Sequence, residues 1–180
     1  SICYQVPALC KEGLCLVISP LIALMKDQVE QLRKKNITAF AIYSGLNRKE
    51  VINTLKVAAE SNCKFLYISP ERLETSLFKE YLPGLGVNLI AVDEAHCISQ
   101  WGYDFRPPYM RIASLREELP GIPILALTAS ATPAVQEDII SKLAFRQKNV
   151  FRQSFERPNL SYSVFKVDSK INKILTILQN

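Results

Sequence analysis

The sequence predicts a doubly wound, mostly parallel α/β sheet. Short apolar runs alternate five times with segments whose apolar residues recur at helical spacing, and the connections between them are short. Ser-Pro or Thr-Pro follows three of these runs, and such a pair suits the first turn of a helix. At 180 residues with 48% hydrophobic residues, the chain is long enough for one domain with a full core and part of another.

Each element is predicted from its local pattern. Short apolar runs bounded by turn residues predict strands at residues 14–18, 38–43, 65–68, 89–92 and 124–127. Helical spacing predicts helices at residues 1–10, 21–35, 47–62, 108–119 and 133–143, and a further one that begins at Glu71. After residue 144 the pattern predicts an edge strand at 149–155, a hinge at 156–159, a strand at 160–167 and a helix over 170–180.

The three Pro-containing junctions are Ser19-Pro20, Ser69-Pro70 and Thr132-Pro133. Because Ser and Thr are good N-caps and Pro is preorganised for the first helical position, each junction is predicted to begin a helix. The unpaired N–H groups of such a helix would face the carboxyl edge of the sheet and attract phosphate oxygens. Plain capping explains the same residues, and a phosphate contact would be an additional role.

The composition narrows the possible partners. The net charge is +5, and the whole surplus lies in residues 146–180, which fits a segment facing a polyanion and fits a solvated surface equally well. The five cysteines include no C-x-x-C pair, which favours reduced thiols in a cytosolic protein and argues against a zinc site in this chain. No stretch resembles a membrane span or a signal peptide, so no membrane partner is expected.

Two acids follow the predicted strand Leu89–Val92 directly, at Asp93 and Glu94. Ligands of open α/β sheets bind at this end of the strands. One carboxylate there can hold Mg²⁺, and its neighbour can orient or deprotonate a water that attacks a γ-phosphate. A strand followed by a charged turn would contain the same residues, but adjacent acids at a buried strand end carry a desolvation cost that a metal offsets.

An aromatic-rich stretch comes next, with Trp101 as the only Trp of the chain. Its candidate residues are Gln100, Trp101, Tyr103, Asp104, Phe105 and Arg106. Aromatic rings and Arg on a loop suit stacking on unpaired bases. Packing of Trp101 and Phe105 beneath the loop is the alternative, and their position directly after the acidic pair favours the nucleic-acid contact.

The run from Asp93 to Pro107, DEAHCISQWGYDFRP, closely resembles motif II and the aromatic-rich loop of RecQ-family DNA helicases. The letters DEAH alone occur in many superfamily 2 ATPases, whereas the fifteen-residue run is specific. Tyr103 departs from the family, in which many members have His. Residues 19–28, 67–73 and 128–132 resemble motif Ia, the adjoining strand-contact motif and motif III of the same family.

The resemblance implies roles for individual residues. Asp93 would hold Mg²⁺, Glu94 would activate water, and His96 with the aromatic loop would couple the state of ATP to DNA. Ser1 resembles the last residue of a P-loop, G-x-x-x-x-G-K-[ST], whose hydroxyl is a second Mg²⁺ ligand. The implied DNA-binding and coupling positions outside the loop are Ser19, Pro20, Lys26, Ser69, Arg72, Thr128, Ser130 and Thr132.

The resemblance also implies the domain plan. Residues 1–153 would form the first RecA-like ATP-binding domain without its P-loop strand, and residues 154–180 the linker with the first strand and helix of a second. The activity would be that of an ATP-dependent 3′–5′ helicase acting on single-stranded and duplex DNA in repair and recombination. Its location would be the nucleoid of a bacterium or the nucleus of a eukaryote. Without the P-loop Lys and the second domain, these 180 residues are expected to hydrolyse no ATP by themselves.

Three alternatives remain. The chain could belong to an RNA helicase or a double-strand DNA translocase of the same superfamily. It could be a non-enzymatic nucleic-acid-binding module in which Asp93 and Glu94 are structural. It could be a P-loop metabolic kinase, against which the aromatic loop argues because such an enzyme has no strand to stack.

Overall fold

The computed structural model describes residues 1–102, 104–153 and 157–179. The chain forms two compact units, Ser1–Lys148 and Asn149–Asn180. The predicted boundary between residues 153 and 154 lies close to this division and stays a prediction. No helix within the described ranges has the length and hydropathy to cross a membrane.

The first unit contains a five-stranded sheet in which every observed strand pair is parallel. Its strands are β1 Leu14–Ile18, β2 Ala39–Ile42, β3 Phe65–Ile68, β4 Val87–Val92 and β5 Ile124–Ala126. Their spatial order is β2-β3-β1-β4-β5, so the chain passes from β1 to the edge strand β2, returns with β3 between them, and then adds β4 and β5 on the other side of β1. The predicted α/β class is therefore confirmed, and the five predicted apolar runs are the five strands.

Seven α-helices lie in the described ranges. They are α1 Ile2–Leu9, α2 Ile22–Lys34, α3 Arg48–Glu60, α4 Ser76–Tyr81, α5 Leu115–Glu118, α6 Pro133–Lys142 and α7 Lys170–Leu178. Short 3₁₀ turns connect several of them, at Pro70–Arg72, Leu82–Leu85, Ala95–Ile98 and Pro107–Ser114. The helices predicted from Glu71 and over 108–119 are thus wrong in part. The turn Pro70–Arg72 is separated from α4 by an extended Thr75, and Pro107–Ser114 is a 3₁₀ segment that becomes α-helical only at α5.

Apolar side chains cover both faces of the sheet. All five residues of β1 are buried, and alternate ones point to opposite faces, with Leu16 and Ile18 in one core and Cys15 and Val17 in the other. The second core is closed by Tyr4 of α1 and by apolar residues of α2. A continuous apolar run is what a strand buried on both faces requires, which explains why these strands could be located from the sequence.

The three Pro-containing junctions turn out to be different from one another. Thr132 is the N-cap of α6, and its hydroxyl accepts a hydrogen bond from the Val135 N–H, as predicted. Ser69 stands at the N-cap of the 3₁₀ turn Pro70–Arg72 but makes no capping hydrogen bond. The prediction is wrong for Ser19, because α2 begins at Ile22 after an extended Leu21.

The reason is that the sheet continues through Ser19. Its N–H donates to the Ile68 carbonyl at 3.1 Å, so the residue still pairs with the neighbouring strand and cannot yet turn into a helix. Its side chain is 1% exposed. A hydroxyl held in the sheet edge in this way is not available to cap a helix that starts three residues later.

The second unit departs from the sequence prediction in its strands. Residues 149–153 and 157–167 are described and hold no strand; residues 154–156 lie outside the described part of the chain. A single extended segment leaves its N–H and C=O groups without partners, so it needs a neighbouring strand to become one. Helix α7 was predicted correctly. In the structure the Ser169 hydroxyl caps its first turn, and the helix buries no side chain.

We predict that Leu16→Ala lowers the free energy of unfolding by about 2–5 kcal/mol, because Leu16 is fully buried and the neighbouring strands cannot close the cavity. Urea unfolding followed by circular dichroism measures the change. Leu9→Ala is the matched control, because Leu9 is 41% exposed and should change stability by about 0.5 kcal/mol or less. Equal losses in the two variants would contradict the buried position of β1.

Candidate nucleotide site and aromatic loop

Asp93 lies at the carboxyl end of β4, and its backbone is held from two sides. Its N–H donates to the Ile18 carbonyl of β1 at 2.9 Å. Its carbonyl accepts a hydrogen bond of 3.0 Å from the hydroxyl of Tyr109, which is fully buried. The carboxylate is therefore carried on a rigid backbone at the edge of the sheet where ligands of α/β folds bind.

Burial raises the pKa of the Asp93 carboxyl above its ordinary value. The Glu94 N–H, which donates to Asp93 Oδ1 at 3.1 Å, and the positive α-amino group of Ser1 act in the opposite direction. The assignment of Asp93 and Ser1 to Mg²⁺ stays a prediction.

Glu94 has a left-handed backbone, with φ of 47° and ψ of 45°. This conformation is uncommon outside Gly and costs about 1 kcal/mol or more. It ends β4 abruptly and starts the 3₁₀ turn Ala95–Ile98. The carboxylate of Glu94 is consequently turned back toward His96 and remains 34% exposed.

His96 joins the acidic pair to the segment after β5. Its Nδ1 lies 2.9 Å from the Thr128 hydroxyl and 3.3 Å from Glu94 Oε2. Because a carboxylate can only accept, the tautomer with its proton on Nδ1 suits this position. The Thr128 hydroxyl also accepts a hydrogen bond from the Ser130 N–H at 3.1 Å. Two of the predicted motifs are therefore linked through a single imidazole.

The aromatic loop is anchored by an ion pair. Arg106 donates from Nε and Nη2 to Asp104 Oδ2, at 3.0 Å and 2.9 Å. The hydrogen bonds from Arg106 hold the pKa of Asp104 below its ordinary value. A third donor, Arg106 Nη1, reaches the Pro20 carbonyl at 3.2 Å, so the loop is tied to the segment between β1 and α2.

The side chains of this loop differ in exposure. Trp101 is 78% exposed, which excludes packing of this ring beneath the loop, and Gln100 is exposed as well. Phe105 is half-buried. Gly102 is required at its position, because a Cβ there would lie 2.7 Å from the His96 carbonyl oxygen. Tyr103 lies outside the described residues.

The remaining predicted positions differ in whether their side chains are buried or exposed. The hydroxyls of Ser19 and Ser69 are buried and have no hydrogen-bond partner among the described residues, so neither presents a surface to a DNA backbone. Lys26 is exposed, with its ammonium 4.9 Å from the centroid of the Tyr43 ring. Thr132 is used in capping α6, as described above.

Arg72 turns inward to the loop after β2. Its guanidinium donates to the carbonyls of Tyr43, Ser44 and Leu46, at 3.1, 3.2 and 2.7 Å. These three bonds use the donors of Nε and Nη2, so the Nε–Nη2 edge of the guanidinium is not available to a phosphate. The geometry favours a structural role for Arg72 in holding this loop.

Sequence reasoning missed Tyr109. This residue supports Asp93 through its hydroxyl, and burial raises the pKa of that hydroxyl above its ordinary value. It follows two prolines, a pattern that identifies a turn and gives no sign of a contact with residue 93.

The described residues include no cluster of three or more His, Cys, Asp or Glu side chains that could hold a metal. The ligands predicted from the sequence are the Asp93 carboxylate and the Ser1 hydroxyl. Such a sparse set suits Mg²⁺, which keeps several waters and takes further oxygens from substrate phosphates. It does not suit a structural Zn²⁺ site, which needs four protein ligands.

Comparison with known proteins gives a consistent family. A model for the DEAD/DEAH box helicase family matches residues 1–139. The ATP-dependent DNA helicase RecQ of Bacillus subtilis (strain 168) is 48% identical over 181 residues, which cover all of this chain and 31% of the relative. RecQ of Pasteurella multocida is 46% identical over 164 residues, covering 91% of this chain and 26% of the relative.

Similarity extends to a plant protein and to a solved structure. The ATP-dependent DNA helicase Q-like 4B of Arabidopsis thaliana is 44% identical over 184 residues, covering 97% of this chain and 16% of the relative. The crystal structure of the Pyrococcus furiosus Hef helicase domain has a TM-score of 0.56 at 21% identity and covers 81% of this chain and 31% of that one, which is a likeness of fold. This chain spans about a third or less of the length of these relatives. The family match and these identities confirm the RecQ resemblance, and the chain belongs to the DEAD/DEAH box helicase family.

Proposed function

We propose that this chain is the first motor domain of an ATP-dependent DNA helicase that moves 3′–5′ along single-stranded DNA and unwinds duplexes in repair and recombination. The observation that carries the proposal is the pair of hydrogen-bonding distances at His96, 2.9 Å to Thr128 and 3.3 Å to Glu94. They connect the acids at the end of β4 with the segment that resembles motif III. The relatives are named as ATP-dependent DNA helicases, which supports ATP and DNA as the ligands.

In the proposed site, Asp93 and Ser1 hold the Mg²⁺ that accompanies ATP. The bound ion would neutralise charge on the phosphate oxygens as the γ-phosphoryl group is transferred. The protein supplies a carboxylate whose backbone is fixed by Ile18 and Tyr109, so its position does not have to be established when the nucleotide arrives. A P-loop, which the resemblance of Ser1 implies, would bind the phosphates.

Glu94 is the proposed general base. Its carboxylate is partly exposed and follows Asp93, the proposed Mg²⁺ ligand, so it could accept a proton from a water held near the γ-phosphate. His96 then lies within reach of the same carboxylate and of Thr128. A change in the charge or position of Glu94 would therefore alter its contact with His96, which connects it to the segment after β5.

The aromatic loop is the proposed contact with unpaired DNA. The ring of Trp101 is exposed to solvent. Arg106 connects the loop to Pro20, in the segment that resembles motif Ia. Stacking on an aromatic ring is available to every base, so this contact suits a motor that moves along any sequence. Lys26, exposed on α2, adds a cation near the same strand end of the sheet.

We further propose that the 180-residue polypeptide by itself hydrolyses no ATP. Its sequence has no Gly-Lys pair to supply the P-loop cation. Residues 1–153 would form the first RecA-like domain, and residues 154–180 would lead into the second. The location would follow the DNA: nucleoid in a bacterium, nucleus in a eukaryote.

We predict that Glu94→Gln, in the longer helicase that carries this domain and a P-loop, lowers ATP turnover by about a hundredfold to ten-thousandfold, because the amide cannot accept the proton of the attacking water. Mg²⁺-ATP should still bind, since the Asp93 carboxylate is untouched. Steady-state phosphate release and equilibrium nucleotide binding measure the two effects. Glu60→Gln, a change at an exposed carboxylate on α3, is the control.

Turnover unchanged by Glu94→Gln would exclude Glu94 as the base. Separately, ATP hydrolysis by the isolated 180-residue chain that Glu94→Gln abolishes would contradict the proposed need for a P-loop. Unaltered Mg²⁺-nucleotide binding after Asp93→Asn would favour a structural role for the acidic pair.

We predict that Thr128→Val reduces the stimulation of ATP turnover by single-stranded DNA by about twofold to tenfold, the value of one net hydrogen bond. Val keeps the branched shape of Thr and removes the hydroxyl that meets His96 and the Ser130 N–H. Thr128→Ser restores the hydroxyl and should restore the stimulation. Full stimulation in the Val variant would show that this contact does not couple the two sites.

We predict that Trp101→Ala weakens binding of a single-stranded oligonucleotide by about 1–3 kcal/mol, the value of one base stacked on an aromatic ring. Trp101→Phe keeps a ring and should retain most of the affinity. Fluorescence anisotropy with labelled DNA, RNA of the same sequence and duplex DNA makes the comparison. Preference for RNA or duplex would favour the alternative helicase or translocase.

A further inference from the structure

The start of the aromatic loop is fastened to α6 by a buried hydroxyl. Ser99 is fully buried, and its Oγ donates to Asp138 Oδ2 at 2.7 Å. The same Oγ accepts a hydrogen bond of 3.2 Å from the N–H of Trp101. One hydroxyl therefore connects a carboxylate of α6 to the backbone of Trp101, whose ring is the most exposed among the described residues of the loop.

A second tie leaves α6 one turn later. Lys142 forms an ion pair of 3.2 Å with Asp138 and donates to the Ile98 carbonyl at 3.3 Å. Its ammonium also lies 6.0 Å from the centroid of the Phe105 ring. Asp138 is the residue common to both ties, since it accepts from Ser99 and holds Lys142 in place.

These ties are better shielded than ordinary surface contacts. The side chains of Lys142 and Asp138 are 22% and 24% exposed, so the pair is screened less than a fully solvated one. The hydrogen bond from Ser99 holds the pKa of Asp138 below its ordinary value, so the carboxylate is charged at neutral pH. Hydrogen bonds to a charged group are the stronger kind.

Helix α6 packs on the core without Asp138. Its buried residues are Val135 and Ile139, and Thr132 caps its first turn. A carboxylate on the same helix one residue earlier, Glu137, is 65% exposed and pairs with Lys148 at the surface. Asp138 is thus distinguished from its neighbour by what it touches, which is the base of the aromatic loop.

We propose that Asp138 is a positioning residue for the aromatic loop, which through Ser99 and Lys142 fixes the backbone at Trp101 and the ring of Phe105 for a single-stranded nucleic acid. The nucleic-acid part rests on the proposed function. The mechanical part does not, because the ties exist without any ligand. Thr132 is the N-cap of α6 and ends the segment 128–132, which contacts His96 through Thr128. A displacement of that segment would therefore move α6 and, with it, the loop.

Trp101 gives a direct readout, because it is the only Trp of the chain. In the 180-residue protein without DNA, Asp138→Ala should lower the fluorescence anisotropy of Trp101 and increase its quenching by acrylamide. Ser99→Ala should do the same, and the double variant should do no more than the larger single change, because both remove one contact. Glu137→Ala is the matched control and should leave Trp101 unchanged.

The second measurement is binding of a labelled single-stranded oligonucleotide. Asp138→Ala should weaken it by about tenfold, the loss of one charge-assisted hydrogen bond. Asp138→Asn keeps an oxygen that can accept from Ser99 and should recover most of the loop order and part of the affinity. Circular dichroism on each variant establishes that the fold is retained, and Ser99→Ala, which removes the same hydrogen bond to Asp138, carries the test if Asp138→Ala does not fold.

Trp101 anisotropy that is the same in Asp138→Ala and Ser99→Ala as in Glu137→Ala would overturn the proposal. Lower anisotropy with DNA binding at the control level would overturn its nucleic-acid part. If the unsubstituted protein binds no single-stranded nucleic acid, the proposed function fails, and the anisotropy alone still decides whether Asp138 holds the loop.

Discussion

The parallel pairing of β4 with β1 on one side and β5 on the other determines where the chemistry of this domain lies. Because all three strands run in the same direction, their carboxyl ends meet at one edge, and the residues that follow them become neighbours. The pairing continues past the strands, since Asp93 N–H donates to Ile18 and Ala95 N–H donates to Leu127. Main-chain hydrogen bonds alone therefore bring together segments that lie far apart in the sequence.

The side chains then exploit this edge through departures from regular structure. The left-handed Glu94 stops β4 and sends the chain into a 3₁₀ turn, which places His96 against Thr128. Gly102 allows the loop to pass within 2.7 Å of the His96 carbonyl, measured from where a Cβ would stand. Both residues accept a conformation or closeness that most others would not, and both are used where the acidic pair meets the loop.

Most of the fold could be predicted from the sequence, because a strand buried on both faces needs a continuous apolar run and nothing else explains Leu14–Ile18 or Phe65–Ile68. The positions of Asp93 and Glu94 followed from the same reasoning. Ser19 could not be assigned correctly, since capping and continued strand pairing demand the same residue types and only the neighbouring strand decides. Tyr109 and Asp138 could not be found at all, because their contacts join segments 16 and 39 residues apart without any local pattern.

The contacts between motif II and the rest of the edge form a closed circuit. The acidic pair is connected to the aromatic loop directly along the chain. It is also connected to α6, through the contact of His96 with Thr128 and the chain from Thr128 to the N-cap Thr132. Asp138 joins this second connection to the first at Ser99. A loop attached only at its two ends can pivot about them, whereas a loop also held at its base moves together with the helix that holds it. With two separate attachments, a local change at the acidic pair would displace the loop as a unit, which is what the proposed motor would require if it binds nucleotide at one site and DNA at another.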